Sequence, residues 1–238
     1  MTQTISIFAP EAPFLIPYIR EQLPAALSGT PDHNCTLAIM ISSCDIYGDG
    51  VRENCDETQP IDLSSRWAKA EDDFVGICRK LGTPCVILRC ADIIGTGMTG
   101  FAHSLAADIW RGTFFHLPGN EARRSTIHAS DIALIAKAIA NSHFNKATPA
   151  VFNVSDGSDP LIHDIAEALA FRMDNKRIST LSTRPQQFIG RLLYGKKKVA
   201  AYTTTRTFSA ARLCETLTFS LTPACQYMRT HIYNEDSL

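Results

Sequence analysis

The run Cys35–Ser42 (CTLAIMIS) constrains this chain more than any other stretch. It is strongly apolar, and polar residues bound it on both sides. Such a run reads as a strand covered on both faces, the habit of a buried parallel sheet. Parallel strands need long crossover connections, usually helical, so flanking helices are expected.

The rest of the chain supplies them. Thr4–Phe8 (TISIF) is β-prone, Pro10 and Pro13 break it, and Leu15–Leu27 has helical apolar spacing. Gly48 to Pro60 is polar and reads as a loop. Ser64 or Ser65 caps a helix running to about Leu81, which Gly82-Thr83-Pro84 ends. Cys85–Leu88 is a second buried strand, followed by a loop marked by Gly95, Gly97 and Gly100. Phe101–Arg111 is an amphipathic helix, and Gly112–Thr126 is rich in turns. Ser130 or Asp131 caps a helix through Ala140 whose Ile132, Ile135, Ala136 and Ile139 share a face. Ala150–Val154 is a strand, Asp156-Gly157 a turn, and Leu161–Phe171 a helix. This alternation predicts an α/β fold: a Rossmann-like, mostly parallel sheet flanked by helices. The stretch Ser179–Leu238 mixes basic, Thr-rich and short helical pieces and is expected to pack on the core as a small cap.

Composition narrows the class. The 238 residues are 45% hydrophobic and 20% charged, which excludes a wholly disordered chain. Lys and Arg number 23 against 24 Asp and Glu, for a net charge of -1, so general nucleic-acid binding is not expected. No apolar run approaches the roughly 20 residues of a membrane span. The N-terminus lacks a basic n-region and does not read as a signal peptide. None of the eight cysteines forms a C-x-x-C pair, so no metal site is expected. Several lie in apolar runs, and a reducing, cytoplasmic setting is expected.

Ordered motifs then appear. Ser42-Ser43-Cys44-Asp45-Ile46-Tyr47-Gly48 resembles the S-S-x-x-[VI]-Y-G signature of the extended short-chain dehydrogenase/reductase family, the NAD-dependent epimerases and dehydratases. Glu57-Thr58-Gln59-Pro60 resembles that family's acidic loop, and Lys69-Ala70-Glu71 its Y-x-x-x-K helix from the Lys onward. Leu88 to Gly97 is similar to L-R-P-x-x-[VI]-Y-G-P-G, and Arg124 to Asp131 to R-D-[FY]-[IV]-H-V-x-D. Phe152 to Gly157 and Thr207–Phe219 resemble the later strand-turn and terminal-helix motifs.

The resemblance implies NAD(P)-linked redox chemistry on a nucleotide-sugar-type substrate. Ser43 and Lys69 take the catalytic positions, with Ser43 orienting the reacting oxygen. Lys69 would also hold the cofactor, together with Cys90, Ala91 and Asp92. Tyr47 would form a substrate wall, and Arg124 would hold substrate phosphate with its planar fork. Two departures oppose this chemistry. The family's general acid/base tyrosine falls at Ser65, whose hydroxyl titrates far above a phenol. No Gly-rich turn follows the first strand. If Phe8 to Ile16 were that turn, Pro10, Pro13 and Ile16 would replace its glycines and Glu11 would repel pyrophosphate. Otherwise the segment is a later strand of the sheet, and the expected core is shortened at its N-terminal side.

Plainer roles stand beside these. Lys69 suits a solvated helix face, Arg124 a surface position beside Arg123, and Lys196-Lys197-Lys198 a solvated loop. Asp131 suits a cap, and His128 and Arg89 suit structural positions. The expected organisation is a shortened core over residues 1–95, with the remaining core and a small substrate-binding-type cap over 96–238, packed as one unit. Two functions are expected: a divergent epimerase/dehydratase-like enzyme, or an inactive member acting as a ligand-binding or partner subunit. A homo-oligomer, or pairing with a complete paralogue, would use Asp62–Leu81 and Phe101–Arg111.

Overall fold

A computed structural model describes residues 4–8, 20, 23–25, 27, 35–95, 98–142, 149–174, 176–180, 198–217 and 221–230. Pro10, Glu11, Pro13, Ile16, Gly97, Lys196 and Lys197, singled out above, lie outside them, as does most of the Leu15–Leu27 span. Of that span, Arg20, Leu23, Pro24, Ala25 and Leu27 are helical.

The main sheet has four parallel strands: β1 (Thr4–Phe8), β2 (Cys35–Ser43), β4 (Cys85–Cys90) and β8 (Ala150–Val154). Their order is β1-β2-β4-β8, so the strands lie side by side as they occur in the chain. Strand geometry sends alternate side chains to opposite faces. Ala38, Met40 and Ile87 pack with Leu23, Leu27 and the Ala70, Phe74 and Cys78 face of helix α1 (Arg66–Lys80). Ile39, Val86, Leu88, Phe152 and Val154 meet Ile132, Ile135, Ala136 and Ile139 of helix α3 (Ala129–Asn141) on the other face. Both faces are therefore covered, as the unbroken apolar run requires. Each such fully buried aliphatic or aromatic side chain stabilises the fold by about 1.5–3 kcal/mol.

A third core joins helix α2 (Gly100–Trp110), α4 (Ile162–Arg172) and α6 (Ala224–Thr230), with Leu105, Ile109, Ile165, Leu169, Ala224 and Met228 at its centre. Helix α5 (Ala211–Thr216) and the residue after it send Leu213 and Leu217 into the α3 side of the main sheet.

Three short parallel pairs complete the frame. Strand β3 (Arg52–Cys55) pairs with β10 (Arg206–Phe208), and β5 (Asp92–Ile94) with β7 (Thr126–His128). Strand β6 (Phe115–His116) pairs with β9 (Ser179–Thr180). Two local expectations change. The polar stretch from Gly48 to Pro60 contains β3, because β10, far along the chain, supplies its hydrogen-bond partner. The cap of α3 is His128, whose Nδ1 accepts from the Ser130 N–H, so Ser130 and Asp131 lie inside the first turn.

Candidate functional site

In open α/β sheets, ligands sit beyond the carboxyl ends of the strands. Strand β2 ends at Ser43, and a 3-10 turn over Cys44–Tyr47 follows. Ser43 is half-buried, and its Oγ accepts the Asp45 N–H at 3.1 Å, which starts that turn. The turn leaves the Asp45 carboxylate at the exposed rim. Gly48 then reverses the chain at φ 84°, a left-handed value open to glycine.

Beneath the rim runs a continuous buried polar network. Ser42 Oγ donates to Glu71 Oε1 at 2.6 Å. Arg89 grips the same carboxylate with two groups, Nη2 to Oε2 at 2.8 Å and Nε to Oε1 at 3.1 Å. Its Nη1 donates to the Tyr47 hydroxyl at 3.0 Å, and that hydroxyl donates to Asn153 Oδ1 at 2.8 Å. Asn153 Nδ2 donates to the Cys55 carbonyl at 3.0 Å, tying β8 to β3. Tyr47 is only 1% exposed, and burial pushes its phenol up to about 12. It holds its proton at neutral pH and spends its polar atom on protein partners. Satisfied in this way, the network fixes the strand ends relative to one another.

Two arginines lie together next to it. Arg124 and Arg206 are parallel neighbours in an isolated β-bridge, 4% and 6% exposed. Arg124 Nη1 donates to Asp92 Oδ2 at 2.6 Å, and its guanidinium lies 3.7 Å from the Phe101 ring centroid. Arg206 Nη1 donates to Asp45 Oδ1 at 2.9 Å. Burial raises the Asp92 carboxyl, while Arg124 pulls it down. The Nε of each arginine is buried without a hydrogen-bond partner among the described residues. Buried polar atoms are normally satisfied, so each Nε stands out as an unsatisfied buried donor. Arg124 is thus a buried, ion-paired residue and not a solvated one. Arg206 was not legible as a site residue. It follows three threonines and stands just before the Thr207–Phe219 motif, and the β3–β10 pairing brings it to Asp45.

The remaining expected site residues are dispersed. Ser65 lies outside α1 as its N-cap, and its Oγ accepts the Trp67 N–H at 3.2 Å. The tyrosine position is therefore a capping position, and the Ser65 carbonyl accepts the Lys69 N–H at 3.4 Å. Lys69 is exposed and borders a depression of about 510 Å³ lined by Leu63, Val75, Ile87, Pro149 and Val151. Among the described residues, no hydrogen bond or ion pair joins it to Ser43 or Tyr47. Cys90 is buried, and burial pushes its thiol up to about 12. The Ala91 and Asp92 N–H groups already donate to the Val154 and Ser125 carbonyls. Lys198 ion-pairs with Asp108, which also accepts the Tyr202 hydroxyl. Among the described residues, no group of three or more His, Cys, Asp or Glu can hold a metal. No described helix is long and apolar enough to cross a membrane.

Comparison with known proteins follows this geometry. The family model described as the NAD dependent epimerase/dehydratase family matches residues 25–155. No curated protein sequence matches the chain. Among solved structures, MoeE5 in complex with UDP-glucose and NAD is similar at a TM-score of 0.64 and 16% identity, covering 91% of this chain and 69% of that one. The UDP-N-acetylglucosamine 4-epimerase from Bacillus cereus gives 0.63 and 14%, covering 94% and 76%. The human epimerase family protein SDR39U1 (isoform 2) with NADPH gives 0.62 and 13%, covering 98% and 83%. These likenesses concern the fold.

Proposed function

The chain belongs to the NAD-dependent epimerase/dehydratase family, and we propose that within it this chain is a nucleotide-sugar-binding member without conventional redox turnover of its own. The observation that carries this reading is the buried Arg124–Arg206 pair at the strand ends, each with an Nε that has no partner among the described residues. A diphosphate offers several anionic oxygens, and arginine forks match them in charge and shape. The similarity to structures holding UDP-glucose supports a nucleotide sugar as the ligand class.

Three observations weigh against redox turnover. Ser65 is a helix cap and carries no phenol. Lys69 borders a depression lined by apolar side chains together with Glu71 and Asp72, and Ser43 is not part of that lining. The N–H groups of Ala91 and Asp92 are committed to protein carbonyls, and the Asp92 carboxylate to Arg124. These residues do not fit NAD(P) in the family's usual manner. Lys69, Cys90, Ala91 and Asp92 are accordingly read as structural or surface groups. Ser43 lies at the rim, and Tyr47, buried beneath it, acts as a positioning residue and not as a substrate wall.

In this reading the protein works as a subunit, in the cytoplasm, paired with itself or with a complete paralogue. The exposed sides of α1 and α2 offer the surface. The test is thermal melting with UDP-glucose, NADH and NADPH separately. The reading expects a rise with UDP-glucose and none with either dinucleotide. A rise with NADH that Lys69→Ala abolishes would favour the redox enzyme instead.

A further inference from the structure

A second cleft lies away from the arginine pair and shares no residue with it. It has a volume of about 730 Å³, within the range of small-molecule sites. Helix α4 supplies His163, Glu167, Ala170 and Phe171, strands β6 and β9 supply His116 and Thr180, and Arg229 comes from α6. Lys176 and Ile178 complete the lining.

Its side chains divide into two kinds. The His116 and His163 rings are stacked, with centroids 3.9 Å apart and a 40° tilt. Burial and the His163 ring together lower the His116 pKa, so His116 is a neutral aromatic face at neutral pH. Phe171 is 49% exposed at this cleft, where a large apolar ring facing water marks a contact surface. Ala170 and Ile178 add apolar wall.

The charged part is cationic on balance, with Lys176 and Arg229 set against Glu167. Glu167 is shared: His163 Nε2 lies 3.0 Å from Oε1, and Arg229 Nη2 lies 3.5 Å from Oε2. The second contact is long and half-exposed on both sides, so it holds Arg229 weakly, and its other donors have no hydrogen bond among the described residues. Lys176 lies 4.9 Å from the Trp110 ring centroid, which steers the ammonium to one side. The Thr180 hydroxyl is a further donor. His163 Nδ1 has no partner among the described residues.

We propose that this cleft binds a small phosphomonoester carrying a flat ring. The ring would lie against His116 and Phe171, and the phosphate would take Lys176, Arg229 and Thr180. The proposal is independent of the arginine-pair reading, because Arg124 and Arg206 take no part in it.

The experiment is a calorimetric titration of the full chain with phenyl phosphate, adenosine 5′-monophosphate and inorganic phosphate. The proposal expects saturable binding of a ring-bearing ester, at least about tenfold tighter than inorganic phosphate. It expects Lys176→Gln with Arg229→Gln to weaken binding by about tenfold or more, and Arg124→Lys to leave it unchanged. In the unsubstituted protein, the histidine ring protons of His116 and His163 should shift during titration, a readout that needs no variant to fold. Equal affinity for inorganic phosphate, no saturation by about 10 mM, or loss of binding in Arg124→Lys alone would overturn it.

Discussion

Arg124 and Arg206 are joined as neighbours by a parallel β-bridge, though they lie far apart in the chain. Each guanidinium is buried and anchored to an aspartate, Asp92 and Asp45 respectively, and its Nε–H has no partner among the described residues. Arg124→Lys and Arg206→Lys keep the charge and lose the fork. Each substitution is expected to weaken UDP-glucose binding by about tenfold or more, measured by calorimetry. An unchanged affinity in both would remove the pair from the site.

The Glu71–Arg89 pair lies under the strand ends with both side chains 8% exposed. Removing one partner leaves a buried charge alone. Arg89→Leu is expected to lower unfolding stability in urea by about 3–5 kcal/mol. Removing both, as Glu71→Leu with Arg89→Leu, is expected to cost less than the single change, because no orphan charge remains. A double variant weaker than the single one would contradict this account of the network.

Ser65 caps α1, so Ser65→Ala is expected to cost about 1 kcal/mol of stability. Ser65→Tyr is expected to lose the same cap and to create no NADH-forming activity with UDP-glucose. The phenol would stand at a helix cap, and no hydrogen bond or ion pair joins Lys69 to Ser43 among the described residues. Turnover in that variant would show that the tyrosine alone was missing.

Asp131 is buried in the first turn of α3, and one of its carboxylate oxygens has no partner among the described residues. Burial, and then the Asp156 charge, raise its pKa above the ordinary 3.8. A carboxyl raised on folding favours the folded state below its unfolded pKa, and that contribution is lost as pH rises through the folded value. Asp131→Asn is therefore expected to be more stable than the parent at neutral pH, with the gap closing as pH falls towards 3.8. Paired urea midpoints at neutral and acid pH measure this, and a gap that widens on acidification would refute it.

The covered parallel sheet was legible because two-faced burial leaves an unbroken apolar run. Cys35–Ser42 became β2 with one added residue, and Ala150–Val154 became β8 as read. Helix α1 and its Ser65 cap followed from a local signal that needs no tertiary partner. Strand β3 did not, since Arg52–Cys55 is polar and is made a strand by hydrogen bonds to β10. Arg206 was hidden for the same reason. The His128 cap was missed because serine and aspartate are the usual caps, and here a ring nitrogen takes that place.

The central claim is that this chain holds a nucleotide sugar without needing a dinucleotide. Calorimetric titration with UDP-glucose, in the absence and in the presence of NAD, tests it most directly. The account predicts one saturable site, the same affinity with and without NAD, and its loss in Arg124→Lys. Binding that appears only when NAD is present, or no binding in either case, would contradict it.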